Sequence, residues 1–374
     1  MRRLIGSGGE DEVIHLQTPW IRSRGFDLAL IAGPSWIMTA LVLTFAGAFS
    51  SPDAIGPFAW LVLVVGFDVA HVYSTLFRTY LDKRERETHG SLLLLTPLFC
   101  WLVATMVYAL SAAIFWTLLA YVAVFHFIRQ QYGLTMLYAT AAERLQTIQQ
   151  RIDAAFIGAA TLYPLVYWHT HLPRAFVWFV EGDFIALPPI VEPLAKIAYV
   201  GIAAAYVLSH SVRVYRGEPL NVPRMMITIG TAASWYVGIV AFNGDLAFSA
   251  TNVVAHAVPY AALIWVYGEN RESIRSGIPT WYIAPLMPLL LAIIVGLAYT
   301  EEGLWDGFVW REHPELFNLF SGLPALDGRW LSLAVPTLIL PQLTHYVLDA
   351  FIWRLRKDTT WRSTLMFRRA LRAT

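Results

Sequence analysis

Four histidines, His71, His126, His256 and His345, stand inside four separate apolar runs of the chain. Each has polar residues three or four positions away, which a helix would place on the same face. One run reads Asp68-Val-Ala-His71, then Thr75 and Arg78. A second reads His126-Phe-Ile-Arg-Gln130. The third is Asn252-Val-Val-Ala-His256, then Tyr260, and the fourth is Gln342-Leu-Thr-His345, then Asp349. A neutral imidazole binds a metal through one nitrogen while the other donates to a carboxylate, amide or carbonyl that fixes its tautomer. Asp68, Gln130, Asn252, Gln342 and Asp349 are the expected partners of that kind, and either aspartate would also suit direct ligation. A single histidine at membrane depth more often makes a helix–helix hydrogen bond, worth about 0.6 kcal/mol. Four that share depth, direction and a polar neighbour point to one shared metal or cofactor site.

The donor set narrows the metal. Several imidazoles with one or two carboxylates suit non-haem iron first and zinc second. Haem held by axial imidazoles is a third reading. Cys100 is the only cysteine, so an internal disulfide, a cysteine-ligated zinc site and an Fe–S cluster are excluded. Carboxylates are too few for an all-oxygen Mg²⁺ or Ca²⁺ site. Tyr260, Asp68, Asp349 and Gln130 are the candidate catalytic groups. Arg129 adjoins the His126 stripe and is expected to pair with Asp68, Asp349 or a bound anion, because an unpaired charge at that depth is costly. Arg78, Arg271 and Arg354 end three of the histidine spans. They serve as topology signals or as an anion-binding mouth, and Arg78 and Arg129 are the candidate cofactor-binding cations. His210 lies shallower and reads as interfacial. His169 and His171 read as a polar loop edge.

The elements that must hold these residues are membrane helices. Apolar residues are 57% of the 374 and charged residues only 14%, against about 25% charged in a soluble domain. Mean hydropathy is +0.53. This excludes a soluble globule, a disordered chain and a nucleic-acid binder. A spanning helix needs about 20 mostly apolar residues. Ten runs qualify, at 26–49, 55–80, 91–111, 113–139, 153–171, 191–214, 222–242, 246–268, 280–299 and 330–353. The fold class is therefore all-α, a polytopic bundle in one transmembrane domain over 26–353. A polar segment 1–25 precedes it, with no apolar stretch of signal-peptide kind, and a basic tail 354–374 follows. The connections 172–190 and 300–329 are rich in aromatics, as interfacial segments are. The chain has no internal repeat, Walker A sequence, GxGxxG, HExxH, G-x-S-x-G elbow or paired histidine boxes.

The basic residues set the orientation. Of the 27 Lys and Arg, 22 fall on the termini and the ends and loops after spans 2, 4, 6 and 8; four fall on the opposite side and Arg129 lies within a span. Both termini are expected in the cytoplasm, in a cell membrane and first of all a bacterial inner membrane. Spans 2, 4, 8 and 10 then run in one direction. Their histidines stand about 8–13 residues from the inner ends, a spread of roughly 8 Å at 1.5 Å per residue.

The expected function is that of a membrane-embedded metalloenzyme, an iron-dependent oxidoreductase that hydroxylates, desaturates or otherwise oxidises a lipid-soluble substrate. A zinc-dependent lipid hydrolase, a haem- or pigment-binding electron carrier and a proton-coupled transporter remain as alternatives. The partners expected are membrane lipids and a hydrophobic small molecule, no nucleic acid, and at the cytoplasmic face a redox protein or a second copy. Reporter fusions after residues 140 and 374 should read cytoplasmic, and fusions within 301–329 should read external. An external C-terminus would overturn the common direction of the four histidine spans.

Overall fold

Each of the ten apolar runs is helical in the computed structural model, which describes residues 20–50, 55–139, 143, 146–276, 283–353 and 365. No strand occurs among the described residues. The long helices are α1 (Arg24–Thr44), α2 (Pro57–Arg78), α3 (Lys83–Leu110), α4 (Ala112–Leu137) and α5 (Thr147–Thr170), then α6 (Val191–Tyr215). They continue with α7 (Val222–Trp235, extended by a π-helical Tyr236–Ala241), α8 (Asp245–Ser276), α9 (Met287–Trp310) and α10 (Gly328–Ile352). Eight are long and apolar enough to cross a membrane; α5 and α7 are not among them. Gln149, Gln150, Arg151 and Asp153 open α5, and Arg224, Thr228, Thr231 and Ser234 line α7, which lowers the apolarity of both. The segments 1–19 and 354–374, Leu365 apart, lie outside the described residues.

Several helices overrun the apolar runs. Asp82 accepts from the Arg84 and Glu85 backbone N–H groups and caps α3 eight residues before its apolar stretch. α8 continues to Ser276 and α9 to Trp310, so the first third of the 300–329 connection is helix. Tertiary contacts, not hydropathy, carry these ends: Arg271 pairs with Asp82 at 3.4 Å, and Tyr73 donates to Glu301 at 2.5 Å.

The bundle is organised around α8. Its apolar window is 89% buried, whereas those of α3 and α6 are 22% and 6% buried and turn Leu94, Leu98, Leu102, Leu194, Ile197 and Val207 outward. Ala247, Ala250, Ala255, Ala257 and Ala262 keep the surface of α8 thin. Small residues are how membrane helices approach closely, since apolar burial alone does not drive association in lipid. α1, α2 and α4 pack on α8; α10 packs on α2, α3 and α4; α5 joins α4, α6 and α7. The aromatic connections cap one end. Phe176 and Trp178 lie 4.4 and 5.2 Å from Phe248, and Phe317 is fully buried against Trp60 and Tyr299.

Two of the histidine helices contain a π-helical stretch just before the histidine, at Leu61–Val69 in α2 and Ser249–Val253 in α8. Such turns bond i to i+5 and rotate the following face relative to a regular helix. Gly238 of α7 meets the second stretch. A Cβ at Gly238 would collide with Thr251 Oγ1 and Asn252 Nδ2. Gly238→Ala should therefore push α7 off α8 and cost about 1–3 kcal/mol, as overpacking does, seen as a lowered melting temperature in detergent. An unchanged melting temperature would show that this contact yields freely.

Candidate metal centre

The four histidines converge. One ligand nitrogen from each of His71, His126, His256 and His345 lies within 4.8 Å of all the others. The side chains come from α2, α4, α8 and α10, and the four residues are 0–6% exposed. His256 Nε2 faces His71 Nε2 at 3.1 Å, and His345 Nε2 faces His126 Nε2 at 3.1 Å. Four nitrogens held tetrahedrally at about 2.0–2.1 Å from one ion would stand about 3.3–3.4 Å apart, so the two close pairs sit near a coordinating geometry.

The hydrogen bonds behind the rings fix two tautomers. Tyr260 spends its proton on Asp349 Oδ1 at 2.6 Å. The Tyr260 oxygen can then only accept from Thr75 Oγ1, 2.8 Å away. Thr75 Oγ1, with its own proton spent, accepts from His345 Nδ1 at 2.7 Å. His345 therefore carries its proton on Nδ1 and turns a bare Nε2 lone pair to the centre. His71 Nδ1 donates to the Phe67 carbonyl at 3.2 Å and leaves its Nε2 bare as well. Lone pairs aimed at one point from helices packed this tightly suit a cation at that point. His256 is held by stacking, its ring 3.8 Å from Phe127 at an interplanar angle of 5°, and its Nδ1 has no hydrogen-bond partner. Trp178 of the 172–190 cap packs 5.3 Å from Phe127, so the cap bears on the His256 ring through one intervening aromatic. Tyr346 lies 4.8 Å over His126.

The expected partners divide. Asp349 lies beside two of the rings, with Oδ1 3.8 Å from His345 Nδ1 and Oδ2 3.9 Å from His126 Nε2, and reaches His345 through Tyr260 and Thr75. Gln130 donates instead to the His256 backbone carbonyl at 2.6 Å, and Gln131 to that of Ala255 at 3.3 Å; both stitch α4 to α8. Asn252 and Asp68 lie in the π-helical stretches, and neither bonds an imidazole among the described residues. Asn252 donates to Thr251 Oγ1 and the Ser234 carbonyl, and Asp68 makes no side-chain hydrogen bond among the described residues. Gln342 makes no hydrogen bond to His345 among the described residues and lies near the Glu301 carboxylate instead.

Neither arginine lies among the imidazoles. Arg129 is exposed, with its guanidinium 5.5 Å from the Tyr132 ring centre, and forms no ion pair among the described residues, so the expected pairing with Asp68 or Asp349 is not made. Snorkelling along the helix surface serves a cation placed there. Arg78 is buried and already engaged: Nη1 is 2.6 Å from Glu85 Oε1, and Tyr267 and Trp353 flank it at 4.3 and 5.9 Å. Arg354 lies outside the described residues. His210 approaches Asp153 at 3.3 Å, and His169 and His171 bond carbonyls of their own helix.

Sequence reasoning missed the linking role of Thr75 and the carboxylates of α9. Thr75 was visible as the residue four after His71, between stripes of two helices. Glu301 and Glu302 sit directly after an apolar run and were counted outside it; Glu301 is 5% exposed and takes the Tyr73 hydroxyl. Comparison of the chain with protein-family models, with curated proteins and with solved structures finds no match in any of the three.

Thr75→Val keeps the shape of the side chain and removes the link between Tyr260 and His345. Metal affinity should fall about 10–100-fold, the usual cost of losing a group that orients a ligand, read by competition with a chromophoric chelator. Retention of full affinity would detach the Asp349–Tyr260–Thr75 chain from the centre.

Proposed function

We propose that the protein is a membrane-embedded metalloenzyme, a non-haem iron oxidoreductase that oxidises a lipid-soluble substrate within the bilayer of a cell membrane. The observation that carries this reading is the convergence of His71, His126, His256 and His345, from four helices, on one buried point. Imidazole donors suit iron, zinc, copper and nickel alike. Coordination number favours iron: four imidazoles fill a tetrahedral zinc site, and catalytic zinc keeps one position open for water. Iron accepts six ligands and would supply redox chemistry with O₂ at the two positions left. Haem fits less well, because a macrocycle between two axial imidazoles would occupy the space of the other two.

The chain's own groups have definite tasks in this reading. Thr75 and the Phe67 carbonyl hold His345 and His71 as Nδ1–H tautomers. Asp349, through Tyr260, anchors that arrangement and places a carboxylate 3.8–3.9 Å from two ligand rings. Phe127, Trp178 and Tyr346 exclude water from the outer side of the rings. The outward apolar faces of α3 and α6 put the protein surface in contact with the chains among which such a substrate would dissolve.

Proton-coupled transport is the second reading, favoured by Asp68, Glu301 and Glu302, which form no ion pair among the described residues although all three lie within α2 and α9. Metal content separates the two. Protein purified without chelators should hold about one iron per chain by mass spectrometry. Alanine in place of any one of the four histidines should remove most of it, and Asp349→Asn should weaken binding by about 10–100-fold. Wild type free of metal, or four alanine variants with full metal content, would overturn the metalloenzyme and leave the transporter.

A further inference from the structure

A second polar cluster lies away from the histidine centre, where α5, α6 and α7 meet on the side that carries most of the basic residues. Here the first turns of α5 and α7 face the last turns of α6. Asp153 of α5 is shared by Arg224 Nη1 at 2.8 Å, Gln149 Nε2 at 2.8 Å and His210 Nε2 at 3.3 Å. Arg213 of α6 gives Nε to Glu218 at 3.0 Å and Nη2 to the Pro219 carbonyl at 3.4 Å. The acids of the cluster are thus largely spent on cations within it.

Three features remain over, and they border one cavity. The cavity has a volume of about 510 Å³ and is walled by Gln146, Gln149, Ser209, Arg213 and Arg216 on its polar side. First, α5 begins there: the Gln146 side chain makes no capping hydrogen bond, and among the described residues no side chain takes the leading N–H groups at the positive end of this 24-residue helix. Second, Arg213 is only 8% exposed, and its Nη1, in a 3.8 Å ion pair with Glu143 Oε1, makes no hydrogen bond. Third, Arg216 forms no ion pair among the described residues. A helix N-terminus and two arginines around a vacant volume are the donors that phosphate oxygens take. Glu218 also lines the cavity, but its carboxylate is held by Arg213.

The remaining wall is apolar, made by Ile148, Ile152 and Val212. Along α6 it leads to Leu208, exposed one turn before Val212 on the same face. A volume in the usual range of ligand sites, charged at one end and open to the lipid-facing helix at the other, matches a phosphate that carries hydrocarbon.

We propose that the cavity between the start of α5 and the end of α6 binds a phosphate group through the α5 N-terminus, Arg213 and Arg216, its principal source being the headgroup of an anionic phospholipid. The site stands independently of the metal centre. Native mass spectrometry of detergent-solubilised protein, exchanged with phosphatidylglycerol or with zwitterionic phosphatidylcholine, tests it. Wild type should retain phosphatidylglycerol roughly tenfold better, the worth of one charge-assisted hydrogen bond. Arg216→Gln, on an exposed side chain and therefore safe for folding, should abolish that preference. Arg213→Gln should do the same, with melting temperature and elution volume as the controls for folding. If inorganic phosphate displaces the lipid and binds alone, the phosphate site stands and its source is soluble; if it does not compete, the headgroup is the source. Equal retention of the two lipids by wild type with no binding of inorganic phosphate overturns the proposal. So does an undiminished preference in Arg216→Gln.

Discussion

The constraint on which the rest depends is the burial of polar side chains at the centre of the bundle. In hydrocarbon a polar side chain must find its partner inside the protein. Four imidazoles from four helices meet that demand by facing one another, in two pairs with nitrogens 3.1 Å apart. The helices must then come close and keep a fixed register, and the alanine-rich surface of α8 allows it. Gly238 at the α7 contact and the amide bonds from Gln130 and Gln131 to α8 carbonyls hold that register. None of these residues touches the point where the imidazoles meet, yet each bears on where α8 presents His256.

The same constraint explains why the hydrogen bonds behind the rings run in chains. His345 does not meet Asp349 directly. Its proton goes to Thr75, whose own goes to Tyr260, and the series ends on the carboxylate. Each hydroxyl accepts one bond and donates one, so no member is left over in the dry interior, and the order of donors is forced by the acceptor at the end. Polar networks of this kind specify a single arrangement when complete and are costly when broken. Thr75 thus couples α2 to both α8 and α10 at the depth of the histidines.

Apolar runs and the four histidines were legible in the sequence because span length and polarity at depth are properties of single segments. The ten helices and the meeting of His71, His126, His256 and His345 follow from them. The partners of the histidines were not legible, and the reason is local geometry. A period of 100° per residue places Asp68 beside His71 and Asn252 beside His256, but π-helical turns include the earlier residue of both pairs and break that period. Gln342 has the right spacing to His345 and is drawn instead to Glu301, a residue that hydropathy puts outside its helix. Arg129, three positions after His126, falls near the histidine face by spacing alone, yet it is exposed beside Tyr132. Tertiary partners, unlike spans, depend on which helix lies opposite.

Charge balance ties the carboxylates to the proposed metal. Four neutral imidazoles bring no negative charge, so a divalent ion among them would keep its full charge in a medium of low dielectric, where the cost is large. Asp349 stands 3.8–3.9 Å from two of the rings, and Asp68 is one turn from His71. Glu301 and Glu302 follow in α9, where Glu301 takes the hydroxyl of Tyr73, two residues after His71. None of these acids has a basic partner among the described residues, whereas Glu85 and Glu269, nearer the basic side, are paired with Arg78 and Arg22. Of these acids Asp349 alone lies against the ligand rings, and it is the carboxylate placed to balance part of a positive charge at the histidine centre.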